Sequence, residues 1–122
     1  MRDLLLCPPD YYGIEYEINP WMSRARGADT PLVQAQWRGL HEKLLSLGCN
    51  VHLVPPQPKL PDMVFTANAG LTVGRKFIPS NFRHKERAGE APFFAEWMEK
   101  HSYEIVWLPD DQFFAGRDLR RA

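Results

Sequence analysis

Apolar residues follow two different periods along this chain. Leu4-Leu5-Leu6-Cys7 and Val51-His52-Leu53-Val54 are short apolar runs closed by Pro8-Pro9 and by Pro55-Pro56-Gln57-Pro58, the form of strands stopped where proline removes the ladder donor. Between them Val33, Trp37, Leu40, Leu44 and Leu47 recur every three or four residues, which predicts a helix with one apolar face. Thr30 stands where a cap is needed, Pro31 takes the first helical position and Gly48 ends the helix. Val64 to Ala69 reads as a third strand, and Leu71-Thr72-Val73 and Phe77-Ile78-Pro79 as two short strands joined around Gly74. Arg83 to Gly89 is a charged loop or a helix start. A second helix follows with Phe93, Phe94, Trp97, Met98 and His101 on its apolar face, and Tyr103 to Leu108 is the last strand. The loop from Asp10 to Met22 is rich in Tyr and Trp, and Ser23 to Ala28 is polar. Strands alternating with helices give an α/β class, and a helix flanked by strands occurs twice, which suggests two related modules.

Composition narrows the partners. The chain has 122 residues, 44% hydrophobic and 12% aromatic, enough for a core and too rich in large side chains for disorder. Fifteen basic and fifteen acidic residues balance to zero, which argues against nucleic acid or an anionic membrane surface and favours a small-molecule ligand. No apolar run approaches the ~20 residues of a membrane span, and Leu4 to Cys7 meets Pro8 too soon for a signal peptide, so a cytoplasmic protein is expected. Cys7 and Cys49 are in no CxxC pair and read as small buried hydrophobes, with no disulfide framework. His41, His52, His84 and His101 have no metal-ligand spacing, so neither a metal nor a cofactor is expected.

The stretch Pro61-Asp62-Met63-Val64-Phe65-Thr66-Ala67-Asn68-Ala69-Gly70 is the chemically informative one. It sets a carboxylate and an amide in an otherwise apolar run, where an uncompensated buried carboxylate costs several kcal/mol and a ligand or partner is required. On a straight strand Asp62, Val64, Thr66 and Asn68 share one face, which would aim Asp62 and Asn68 into one cavity.

Three separated blocks carry a resemblance. Cys7-Pro8-Pro9 with Glu17-Ile18-Asn19-Pro20-Trp21-Met22, then Pro61 to Gly70, then Phe82-Arg83-His84-Lys85-Glu86-Arg87-Ala88-Gly89-Glu90 together resemble the amino-terminal part of the guanidine-modifying superfamily. Within it the match is to the dimethylarginine dimethylaminohydrolase and arginine dihydrolase group, related to arginine deiminases and amidinotransferases. The resemblance implies a pentein fold, a ring of five ββαβ modules, of which this chain would supply about two and leave the ring incomplete. It implies attack of a cysteine thiolate on the guanidinium carbon of an arginine-like substrate, with citrulline as product, or ornithine plus ammonia in a dihydrolase. A planar cation needs acceptors around its edge, and Asp62 and Asn68 match such positions. In dimethylargininases the position of Asn68 is usually a carboxylate, so the Asn points to the dihydrolase branch. Arg87 matches the residue that takes the substrate α-carboxylate, a task suited to the guanidinium fork. Phe65 is either a wall against the flat guanidinium or an ordinary core residue, and Asn19 either a ligand contact or a turn residue before Pro20. Arg83, His84 and Lys85 read as a solvated loop.

The family's catalytic Cys and His would lie beyond residue 122, and no catalytic residue is assigned here. Where the family continues with Glu-Gly-x-Gly-Asp, this chain reads Ala115-Gly116-Arg117-Asp118-Leu119-Arg120-Arg121-Ala122, without the Glu. The expectation is one partial enzyme domain over residues 1–122, an amino-terminal substrate-binding portion inactive by itself, truncated, and open to self-association or to pairing with a missing carboxy-terminal half. Two alternatives stand beside it: a non-catalytic arginine-binding or assembly module, and an amidinotransferase fragment.

Overall fold

The computed structural model describes residues 3–13 and 30–116; Asn19 and the rest of the aromatic loop from residue 14 onward lie outside the described residues. The chain divides into two compact units, Met1–Thr66 and Ala67–Ala122. The class is mixed α/β.

In the first unit, β1 (Asp3–Leu6) pairs in parallel with β2 (Asn50–Leu53), with Leu4 opposite Val51 and Leu5 opposite His52. Parallel neighbours need a crossover, and helix α1 (Thr30–Ser46) lies on that connection. Gly48 ends α1 as expected. At φ +84 it lets Cys49 N donate to Leu44 O (3.1 Å) and Gly48 N donate to Leu45 O (3.0 Å), the two reversed bonds of a Schellman cap. The apolar face differs from expectation. Val33, Trp37 and Leu44 are half-buried, but Leu40 and Leu47 are exposed, and His41 takes the inner position beside the Trp37 ring at 5.2 Å. Leu40 and Leu47 keep the helical period of 33, 37 and 44, so the less exposed stripe of the helix is rotated from the apolar one towards His41. Among the described residues of this unit, Cys7, Val54 and Met63 are the buried hydrophobic side chains.

The expected third strand does not form. Pro61–Val64 and Thr66–Asn68 are instead two 3₁₀ turns. Met63 N donates to Leu60 O (3.3 Å) and Phe65 N to Asp62 O (3.0 Å), so these groups are satisfied within the segment rather than by a neighbouring strand. Pro61 sits at the start of the first turn, where its missing N–H costs nothing. Thr66 then turns its hydroxyl onto Leu5 O at 2.7 Å, a side chain supplying a donor to β1.

The second unit has the order strand, strand, helix, strand. β3 (Gly70–Val73) and β4 (Lys76–Pro79) form an antiparallel hairpin across Gly74-Arg75, and β5 (Glu104–Ile105) joins β4 in parallel. The strand expected over 103–108 is thus limited to two residues. Helix α2 (Lys85–Ala88) and helix α3 (Glu90–Lys100) lie between β4 and β5. α3 buries Ala91, Phe94, Ala95 and Met98, and Phe77 and Phe82 are buried in the same unit. Phe93, expected on the inner face, is 36% exposed, and Trp97 is half-buried with its ring stacked on His101 at 3.7 Å. Among the described residues, no helix is long and apolar enough to cross a membrane.

Candidate functional site

The residues singled out from the sequence fall in both units. Asp62 and Phe65 belong to the first, Asn68 and Arg87 to the second, the division falling within the second 3₁₀ turn. The strand-face argument that joined Asp62 to Asn68 therefore fails, because side chains alternate only along an extended backbone. Asp62 is buried, 3% exposed, in the first turn of its 3₁₀ segment. Phe65 is 46% exposed, so the core alternative is wrong; its ring meets the Tyr12 ring edge-on at 5.8 Å.

In the second unit Asn68 and Arg87 come together. Arg87 is held on three sides. Its Nε donates to Glu90 Oε2 (2.8 Å) and its Nη2 to Glu90 Oε1 (2.9 Å), a bidentate pair in which Glu90 is fully buried. Its Nη1 donates to Asn68 Oδ1 at 3.2 Å, and its Cζ lies 4.6 Å from the centre of the Phe82 ring. The sequence places these groups by simple means. Arg87 is in the short helix α2, Gly89 continues with right-handed geometry, and Glu90 opens α3, so the two charges are three residues apart on neighbouring turns. A carboxylate in the first turn of α3 also faces the positive end of the helix dipole.

The Arg87 contact fixes the Asn68 amide. A guanidinium only donates, so the amide oxygen faces it and Nδ2 points elsewhere, towards Ala115 O at 3.5 Å. The Asn68 backbone is gripped as well. Ser80 Oγ donates to Asn68 O and accepts from Gly116 N at 2.7 Å, with Ser80 itself 2% exposed. Gly116 has φ +59, and a Cβ there would press on the Ala67 carbonyl and come within 2.6 Å of Asn68 Cα, so only glycine fits. Phe82 and Glu90 stand at the two ends of the third motif block but had no role assigned from the sequence, and Ser80 had none either. An Arg-x-x-Glu spacing at a helix start was the available signal for Glu90; nothing local marks Ser80.

Arg83, His84 and Lys85 are exposed, as expected of a solvated loop, although Arg83 also lies over the Phe113 ring at 5.2 Å. Cys7 is 1% exposed and Cys49 half-buried. No group of three potential metal ligands occurs among the described residues. A cavity of about 490 Å³ in this unit is lined by Leu71, Ile78, Leu108 and Phe114 with Asp111 and Gln112, and neither Asn68 nor Arg87 reaches it.

Comparison with known proteins gives these residues a context. No family model matches the chain. It is 46% identical over 119 residues to the bifunctional arginine dihydrolase/ornithine cyclodeaminase AgrE of Nostoc, covering 92% of this chain and 16% of that protein. It is 41% identical over 105 residues to the N(G),N(G)-dimethylarginine dimethylaminohydrolase of Mycobacterium tuberculosis, covering 86% and 35%. Among solved structures it superimposes on the substrate-bound N-terminal domain of ArgZ, a cyanobacterial arginine dihydrolase, with a TM-score of 0.86 and 41% identity, over 93% of this chain and 42% of that one. The chain therefore spans less than half the length of each of these relatives. It is a homologue of the amino-terminal part of the guanidine-modifying, pentein-fold enzymes of the arginine dihydrolase and dimethylarginine dimethylaminohydrolase group.

Proposed function

We propose that this chain is the substrate-binding, amino-terminal part of a cysteine-dependent hydrolase acting on the guanidinium group of arginine or a methylated arginine. The observation that carries this reading is the contact of buried Arg87 with half-buried Asn68, two residues of the family's motifs brought into hydrogen-bond contact within one unit. An amino-acid ligand has an anionic end, and Arg87 and the Asn68 Nδ2 group are both donors, the chemistry an α-carboxylate requires, whereas Asn68 Oδ1, expected to accept from the substrate guanidinium, accepts from Arg87 instead. Asp62, Phe65 and Asn19 remain proposed substrate-binding residues, each on the strength of its motif. Asp62 would accept from the cationic guanidinium, and the exposed Phe65 ring offers it a flat wall. The Asn at position 68 and the similarity to AgrE and ArgZ favour the dihydrolase branch, whose product is ornithine with ammonia. About two modules of a five-module ring would be represented, the second unit being one of them.

Titration calorimetry of the purified chain tests this. L-Arginine is expected to give saturable heat that falls with Asn68→Ala, and agmatine, which lacks the α-carboxylate, is expected to bind more weakly. A folded chain that gives no heat with L-arginine, or binds both ligands equally, overturns the assignment of Arg87 and Asn68. The chain alone is expected to release neither citrulline nor ornithine from arginine, and measurable release of either contradicts that.

A further inference from the structure

We propose that Glu90 is a positioning residue that sets the polarity of the Asn68 amide by aiming Arg87; the inference rests on the reading that Arg87 and Asn68 face the ligand. The argument is geometric. A guanidinium has three edges. Glu90 occupies the Nε–Nη2 edge with both carboxylate oxygens, at 2.8 and 2.9 Å. That pairing fixes the plane and rotation of the group, because a planar fork matched to a planar carboxylate has one favourable in-plane arrangement. Phe82 lies against one face. Nη1 is thereby turned to Asn68 Oδ1, and the amide cannot reverse without setting its NH₂ against a cation.

Two consequences follow for a ligand. An incoming carboxylate meets an arginine whose charge is already compensated and whose Nε–Nη2 fork is taken by Glu90. The Asn68 Nδ2 is presented as a donor in every molecule, with no population of the reversed amide. Glu90 touches neither ligand nor reacting atoms in this arrangement and acts only through Arg87.

The test is side-chain nuclear magnetic resonance of the full 122-residue chain labelled with ¹⁵N, the Arg87 Nε–Hε and Asn68 Nδ2 signals being assigned with Arg87→Lys and Asn68→Ser. In the unsubstituted chain Arg87 Hε is expected to exchange with solvent roughly a hundredfold more slowly than Hε of the exposed Arg38, the scale of a buried charge-assisted pair. In Glu90→Gln that protection is expected to fall about tenfold or more and the Asn68 Nδ2 pair to shift, with Glu90→Asp recovering part of both. A folded Glu90→Gln chain whose Asn68 Nδ2 signals do not move overturns the proposal. Should the variants not fold, the unsubstituted chain still decides, because Arg87 Hε exchange as fast as that of Arg38 also overturns it. Millimolar L-arginine added to the same sample separates the two readings. No shift at Asn68 Nδ2 counts against ligand binding by this chain, while the exchange and variant data judge Glu90 independently.

Discussion

Helix α1 in the first unit runs for 17 residues without one buried side chain, while helix α3 in the second is 11 residues long and buries five. α3 is the more apolar of the two for its length, and what each face meets differs as well. Among the described residues, α3 packs on a three-stranded sheet with Phe94 at 0% exposure, whereas the sheet of the first unit has two strands and leaves Leu53 43% exposed. An isolated helix of this length is marginal in water, so α1 depends on its half-buried Val33, Trp37 and Leu44 together with its Gly48 cap, and α3 on fuller burial.

The sharpest way to break this contrast is to empty the core of the second unit. Phe94→Ala is expected to cost about 3–5 kcal/mol, and loss of Glu90 a similar amount because it strands the Arg87 charge. Urea unfolding should be followed with probes in each unit, since Trp37 lies in the first and Trp97 and Trp107 in the second. If the second unit alone loses stability, each unit has its own cooperativity; if both midpoints move together, the contrast between them is not energetic. Amide hydrogen exchange sharpens the same point without a substitution. Protection in α1 is expected to be lower than in α3 by about tenfold or more, and equal protection would contradict the reading of α1 as the less firmly held helix.

Gly116→Ala comes next in size. The positive φ alone costs an alanine about 1–2 kcal/mol, and pressing its Cβ on the Asn68 backbone adds to this, so a loss above about 2 kcal/mol is expected in the second unit. Because Gly116 N also donates to Ser80 Oγ, the Asn68 side-chain signals should shift with it. A substitution accepted without change at Asn68 would show that the backbone clamp is soft.

The contrast also shows what was legible before the structure. β1, β2, β3, β4, α1 and α3 follow from apolar runs, helical periods and Gly or Pro stops, because each is decided by residues near in sequence. The segment from Pro61 to Asn68 was misread because strand and 3₁₀ turn share the same apolar composition here, and the choice rests on where Asp62 and Leu60 carbonyls find donors. The pairing of Arg87 with Asn68 was invisible to spacing, since 19 residues separate them. Phe65 could not be placed as core or wall from its residue type, and its exposure decides against the core.

A smaller stabilising change is available at the end of α3. Ser102 has φ 72 and occupies the left-handed position of a second Schellman cap, with Tyr103 N donating to Met98 O (3.1 Å) and Ser102 N to Glu99 O (3.1 Å). Ser102→Gly removes the left-handed penalty at some entropic cost, for a net gain of about 0.5–1 kcal/mol. A rise in the urea midpoint of the second unit checks this, and a fall would mean that the serine side chain contributes more than its backbone conformation costs.

The smallest effect is expected in the first unit. The side chain of Asn50 and then that of His52, whose Nε2 is 3.3 Å from Oδ1, hold the Asp3 carboxyl below its ordinary value of 3.8. A carboxyl depressed on folding contributes stability that is fully present above its unfolded value and is lost as pH falls through the lower folded one. The window therefore lies below about pH 4. Asp3 is exposed, so solvent screens the interaction and the amplitude should be slight. Acid titration of first-unit stability in the parent and Asp3→Asn chains checks it. The two curves should differ by a small constant above pH 4 and converge below. Divergence confined to acid pH would show that the carboxylate is not the stabilising form, and that β1 and β2 are held in register by their apolar pairs alone.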